Sequence, residues 1–159
     1  MDMEARVAQN DHEALRLWLR LLTCTNLIES HVRARLRIRF DTTLPRFDLA
    51  AQLSRVSEGM KMGEVSRRLM VTSGNVTGLV DQLEAEGLVE RFDDPDDRRA
   101  IRIRLTRAGS QWFDAMAAEH EKWIVDLFGE LTAQERATLF KLLARVKSAA
   151  LNSELSQAV

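Results

Sequence analysis

The 159-residue chain holds one cysteine, two prolines and no tyrosine. A single thiol, Cys24, closes no internal disulfide, which excludes the small cross-linked secreted scaffolds and points to a reducing, cytoplasmic setting. Seven glycines and two prolines are roughly half the usual share, too few for a sandwich or barrel and in keeping with a mainly helical chain. No apolar run approaches the ~20 residues of a membrane span, because charges interrupt even Leu15-Arg16-Leu17-Trp18-Leu19-Arg20-Leu21-Leu22. The opening Met1-Asp2-Met3-Glu4-Ala5-Arg6 lacks the basic start and apolar stretch of a signal peptide. A cytoplasmic protein with no membrane partner is therefore expected. Nor is there an excess of either charge: 23 Lys and Arg against 24 Asp and Glu leave a net −1. Affinity for nucleic acid would have to come from local pattern. His12, His31 and His120 are scattered, with no cysteine at metal-ligand spacing. Gly-rich phosphate loops and nucleophile elbows are absent too, so no catalytic residue, metal or resident cofactor is expected, and the chain does not read as an enzyme.

What is present is 45% hydrophobic and 30% charged, and a chain of this length buries about 70% of its unfolded surface. Residues 11 to about 37 carry no Gly or Pro, and Leu15, Trp18, Leu22, Val32 and Leu36 recur at broadly helical spacing. One long helix is predicted there, with a break near Phe40-Asp41-Thr42-Thr43. Pro45 suits the first turn of a second helix, whose inward stripe is Phe47, Ala50, Leu53 and Val56, with Gly59 as its stop. A short third helix spans about 63–70. Thr72-Ser73 offers an N-cap for a fourth, stopped by Gly87. Two short helices joined at Val71-Thr72 outline a helix-turn-helix.

The pattern then changes period. Residues 88–92 and 100–105 are short and β-rich, with Ile101, Ile103 and Leu105 alternating with Arg102 and Arg104 around a polar loop, Asp93-Asp94-Pro95-Asp96-Asp97-Arg98-Arg99. Thr106 caps a fifth helix with Phe113, Met116, His120, Trp123 and Leu127 on one face, and Gly129 breaks it. Thr132-Ala133-Gln134-Glu135 is a capping box. It opens a sixth helix with Leu139, Leu142, Leu143 and Val146 inward, and Ala149, Ala150, Leu151 and Leu155 extend its apolar pattern. The expected fold is mainly α: about six helices and a small β-hairpin wing. The flanking helices want either a second subunit or one another.

Leu44-Pro45-Arg46-Phe47-Asp48-Leu49, the run from Ser73 to Glu84, Gly87-Leu88-Val89-Glu90-Arg91, and Asp96-Asp97-Arg98-Arg99 followed by Leu105-Thr106 resemble the MarR family of bacterial winged-helix regulators in order and spacing. The resemblance implies a single domain over 1–159, with a DNA-reading winged helix-turn-helix at 44–105 and a helical dimerisation region at 11–40 and 106–159. It implies a homodimeric repressor on a pseudo-palindromic double-stranded operator, released by a small molecule. Short polar residues at the start of the fourth helix, Ser73, Gly74, Asn75 and Thr77, suit close approach to bases and phosphates. Asn75 fits the two-point contact to adenine, and Gln82 lies two turns along. Arg67 and Arg68 are candidate phosphate contacts. In the loop, the family pattern maps Arg98 to the minor-groove tip and Asp96 to its brace, and leaves the role of Arg99 open.

Arg33, Arg35, Arg37 and Arg39 crowd the end of the first helix, with Arg46 close behind. One reading is a solvated helix end whose cations favour the dipole. The other is an anion site, for this stretch resembles MarR members that control aromatic-acid degradation and respond to aryl-CoA thioesters. On that reading Arg33, Arg37 and Arg46 hold phosphates, and Trp18, Leu22, Phe40, Phe47, Trp112 and Met116 line a slot for the aromatic group. A thiol redox switch at Cys24 is a competing input. It is disfavoured because Cys24 sits in mid-helix without any Tyr, as a buried small residue would. A winged helix used only for protein interaction is the third possibility.

Overall fold

The computed structural model describes residues 13–69 and 73–157. Six helices and a three-stranded antiparallel sheet follow in the order α1 (Glu13–Phe40), α2 (Leu44–Leu53), β1 (Met60–Lys61), α3 (Met62–Leu69), α4 (Ser73–Ala85), β2 (Val89–Asp93), β3 (Ile101–Leu105), α5 (Arg107–Leu127) and α6 (Ala133–Gln157). The mainly helical, winged architecture is the one the sequence predicts. The Val71-Thr72 connection and the cap at Thr72 lie outside the described residues. Two compact units divide the chain, 1–120 and 121–159.

In the first unit, α1 is sustained by its lack of breakers and by Glu13 and Arg37/Arg39 at the dipole ends that suit them. It closes through Asp41, which takes the left-handed conformation (φ 47°) while its N–H donates to the Arg37 carbonyl. Only Val32 and Leu36 of α1 are buried; Leu15, Leu17, Trp18 and Leu27 are exposed. Helix α2 buries Phe47, Leu49, Ala50 and Leu53. It ends at Leu53, six residues before the expected stop, and Gly59 (φ 76°) instead makes the turn into β1.

Strand β1 was not foreseen, since two residues show no alternation. It pairs Met60 with Ile103 and Lys61 with Arg102, giving the order β1-β3-β2. The β2–β3 hairpin runs in register from Val89↔Leu105 to Asp93↔Ile101. Val76, Val80 and Leu83 of α4 recur at i, i+4, i+7 and close the core with Leu49, Leu53, Met60, Val65, Val89 and Ile103. Thr106 ties the start of α5 to the turn between α4 and β2: its hydroxyl donates to the Gly87 carbonyl (2.6 Å) and accepts the Gly109 N–H (3.0 Å).

In the second unit the capping box forms as expected. The Thr132 N–H donates to the Glu135 carboxylate (2.7 Å) and the Glu135 N–H to the Thr132 hydroxyl (3.2 Å). The Thr132 N–H first, and then its hydroxyl, favour the charged carboxylate and hold Glu135 below the usual carboxylate range. Trp123 is buried. Leu139, Leu142, Leu143 and Val146, expected to face inward, are exposed, as are Phe140 and Leu151. Helical periodicity defines a stripe but not the surface that covers it, and nothing among the described residues covers this one. The side chain of Leu155 lies outside the described residues.

Candidate nucleic-acid interface

Burying Val76, Val80 and Leu83 decides what α4 shows to solvent. Asn75 and Gln82, seven residues apart and so on one face, are both exposed, and Thr77 is exposed beside them. Gly78 lies between them with nothing within 4 Å of a built Cβ beyond the helix itself. Ser73 and Gly74 form the first turn of the helix; their side chains lie outside the described residues. At the end of α3, Arg67 and Arg68 are exposed. Arg68 donates to Glu64 one turn back (2.6 Å), whereas Arg67 makes no ion pair among the described residues.

The wing is organised by Asp94, not Asp96. Asp94 is buried despite its charge. Its carboxylate accepts the N–H groups of Asp96 and Asp97 (2.9 Å each) and the Arg102 Nε–H (2.6 Å), with Lys61 Nζ at 3.7 Å. The Arg102 guanidinium beside it, with those two N–H groups, holds its carboxyl at about 2. Asp96 makes no ion pair with Arg98 among the described residues, so the expected Asp96–Arg98 brace is corrected: Asp96 is held through its backbone. The signal lay in an aspartate whose oxygen meets the N–H two and three residues on, as in an Asx turn, near an arginine that alternates with the buried Ile103. The Ala100 N–H donates to the Asp97 carbonyl (2.9 Å). Arg98 and Arg99 thereby become the two corner residues of a closed turn, both exposed. The Asp97 carboxylate also accepts the Arg99 N–H (3.1 Å).

Wing and helix are joined by Arg91 of β2, which grips two carboxylates of α4: Asp81 at 2.5 Å, and Glu84. Neither was singled out in the sequence. They lie three apart on the exposed face of α4, within reach of an arginine just beyond Gly87.

The candidate effector residues are only partly brought together. Phe47 is buried against Phe113 (centroids 5.6 Å) and His120 (4.9 Å), and Met116 is buried on the same helix. Trp112 packs on the reader's core, with the Arg46 guanidinium 5.8 Å from its ring. Leu22 and Phe40 are half-buried, and Trp18 is 54% exposed. The arginines do not converge. Arg33 pairs with Glu29 (3.2 Å), Arg39 with Glu119 (3.0 Å) and Arg46 with Glu86 (2.5 Å), while Arg37 is exposed. Cys24, expected to be buried, is exposed on α1. Among the described residues no group of His, Cys, Asp or Glu could hold a metal, and no helix is long and apolar enough to cross a membrane.

Residues 43–101, from the cap of α2 to the first residue of β3, match the MarR family. Over this segment the chain is similar to the MarR family. Wild-type MarR of E. coli, in its apo form, superposes with a TM-score of 0.69 at 28% identity, covering 80% of this chain and 94% of that one. The uncharacterized HTH-type transcriptional regulator YkoM of Bacillus subtilis (strain 168) is 34% identical over 94 residues, 59% of each chain. The transcriptional activatory protein BadR of Rhodopseudomonas palustris is 32% identical over 106 residues, 65% of this chain and 60% of its own. The chain thus spans about three fifths of the length of these two curated relatives.

Within the MarR-type fold, Phe113 and His120 are additions to the candidate effector cluster that sequence spacing placed only on an inward face of α5. Burial beside Phe47 lowers the His120 pKa below its ordinary value. The unfolded chain then binds that proton more readily than the folded one. The associated stability is complete above about pH 6.5 and is lost as pH falls through the folded pKa. Urea midpoints should therefore drop between pH 7.5 and 5.5, and the drop should shrink in His120→Gln.

Proposed function

We propose that this chain is a DNA-binding transcriptional regulator that acts as a homodimeric repressor and is released by a small aromatic effector. What carries the reading is the exposed polar stripe of α4, Asn75 to Gln82, backed by a fully buried apolar face and flanked by a hairpin tipped with Arg98 and Arg99. A helix presented in this way enters a major groove, and an arginine-tipped wing reaches the adjacent minor groove. Asn75 reads a base edge, Ser73, Gly74 and Thr77 seat the helix end on phosphate, and Gln82 reaches further along. Arg67 and, once drawn off Glu64, Arg68 touch the backbone. Exposed apolar residues on α1, and separately on α6, supply the dimer surface.

The experiment is a pair of variants titrated against a set of mutated operators. Asn75→Ala should flatten discrimination at one position per half-site, by ~1–3 kcal/mol against the wrong base. Arg67→Ala should weaken all sequences alike and reduce the salt slope by about one. Identical profiles for the two would contradict the division of roles. Deleting the gene should raise transcription from the bound promoter; a fall would make the chain an activator, as BadR is named.

For the effector, the Phe47–Phe113–His120 cluster supports an aromatic ring held by α2 and α5. An aryl-CoA thioester additionally needs its phosphates met by Arg33 and Arg37. Arg33→Ala with Arg37→Ala should blunt release by the thioester at least tenfold and leave operator affinity unchanged. Normal release in that variant removes the anion site, and equal potency of the free acid removes the thioester.

A further inference from the structure

We infer that Asp94 and Arg102 form a positioning pair that aims the wing tip before DNA arrives. The inference rests on the DNA-binding reading above and assigns a role to two residues that touch no DNA in it. Three separate parts of the fold meet at this pair. One carboxylate oxygen of Asp94 accepts both backbone N–H groups at the base of the loop, Asp96 and Asp97. The other accepts from Arg102 Nε on β3 at 2.6 Å. The same guanidinium reaches on to the turn before β1, where Nη1 donates to the Gly59 carbonyl at 3.0 Å. The Asp94 side chain is 1% exposed, whereas Asp96, Asp97, Arg98 and Arg99 are all exposed.

The arrangement has a direction. Asp94 fixes residues 96 and 97; the Asp97 carbonyl closes the turn on Ala100, whose own carbonyl accepts the Asp94 N–H (3.0 Å). Arg98 and Arg99 are the only residues between those closures, so their Cα positions follow from the buried pair. Holding a loop in its bound conformation raises affinity by removing an ordering cost, without adding a contact. Four aspartates in the loop would repel DNA if they moved freely. The pair neutralises one of them internally and leaves the two arginines at the corner.

The test is a coupling measurement on the operator, with thermal melting of each variant to show that it is folded. Asp94→Ala should lower affinity about tenfold, as should R98A/R99A, and the triple variant should be within twofold of R98A/R99A. The effect of Asn75→Ala should be the same fold-change in the Asp94→Ala background as in the wild type, because α4 is not aimed by this pair. Asp94→Asn, which keeps an oxygen for the two N–H groups but loses the charge facing Arg102, should recover part of the affinity. It carries the same cycle if Asp94→Ala does not fold. Wild-type affinity in Asp94→Ala, or losses that multiply in the triple variant, would overturn the positioning role while leaving DNA binding intact. A wild-type chain that binds no operator overturns the regulator reading itself, and the pair with it.

Discussion

Leu142→Asp combined with Val146→Asp is expected to convert the proposed dimer to a monomer and to cost two to four orders of magnitude in operator affinity. Both side chains are about half exposed and lie four apart on α6, with Leu139 and Leu143 beside them. An apolar stripe of that extent left in water is unusual for a monomer, and two carboxylates buried at its centre would face each other and their symmetry mates across a two-fold interface. The affinity cost follows from linkage rather than from any lost DNA contact. A dimer binds its second half-site intramolecularly, an advantage of about 10²–10⁴ that a monomer lacks. Sedimentation shows the change of mass and a mobility shift shows the affinity. A dimer that survives the double substitution would place the interface elsewhere.

Gly109→Ala, where α5 packs on the reader, should be the most damaging glycine-to-alanine change in the chain's first unit. A Cβ there would stand 1.8 Å from the Leu88 carbonyl oxygen and 2.8 Å from its carbon. Both are backbone atoms, held in place because that carbonyl also accepts the Thr106 N–H (3.1 Å). The start of α5 must therefore move off the end of the α4–β2 connection, breaking the Thr106 cap. A cost of roughly 3 kcal/mol, at the upper end of overpacking, corresponds to a fall in Tm of about 6–12 °C for a chain of this size. Gly78→Ala is the control: its Cβ meets nothing outside the helix, and removing a glycine from a helix interior gains ~1 kcal/mol. Equal melting of the two variants would contradict the packing described here.

The parts of the fold legible from sequence are those that local chemistry decides. Thr132 and Glu135 satisfy each other whatever surrounds them, Gly87 can take φ 73° at the end of α4, and Ile103 must be buried if its arginine neighbours are not. The parts that were not legible depend on distant partners. Choosing Asp94 over Asp96 as the wing's organiser required knowing which of four aspartates burial encloses. The run Arg33–Arg39 with Arg46 behind it looks like one positive patch until Glu29, Glu86 and Glu119 are placed, the last two remote in sequence. Which residues α4 exposes was easier to read, because its buried face dictates the exposed one. The effector cluster fared worse, because aromatic residues at helical spacing serve a core and a pocket equally well.

Selection of bound duplexes from a random DNA pool by the 159-residue chain tests the central claim most directly. The account predicts enrichment of one pseudo-palindromic sequence with half-sites about one helical turn, ~10 bp, apart, bound at least ~10³-fold more tightly than its scrambled counterpart at physiological salt. A pool that remains random, with equal affinity for selected and scrambled duplexes, would contradict it.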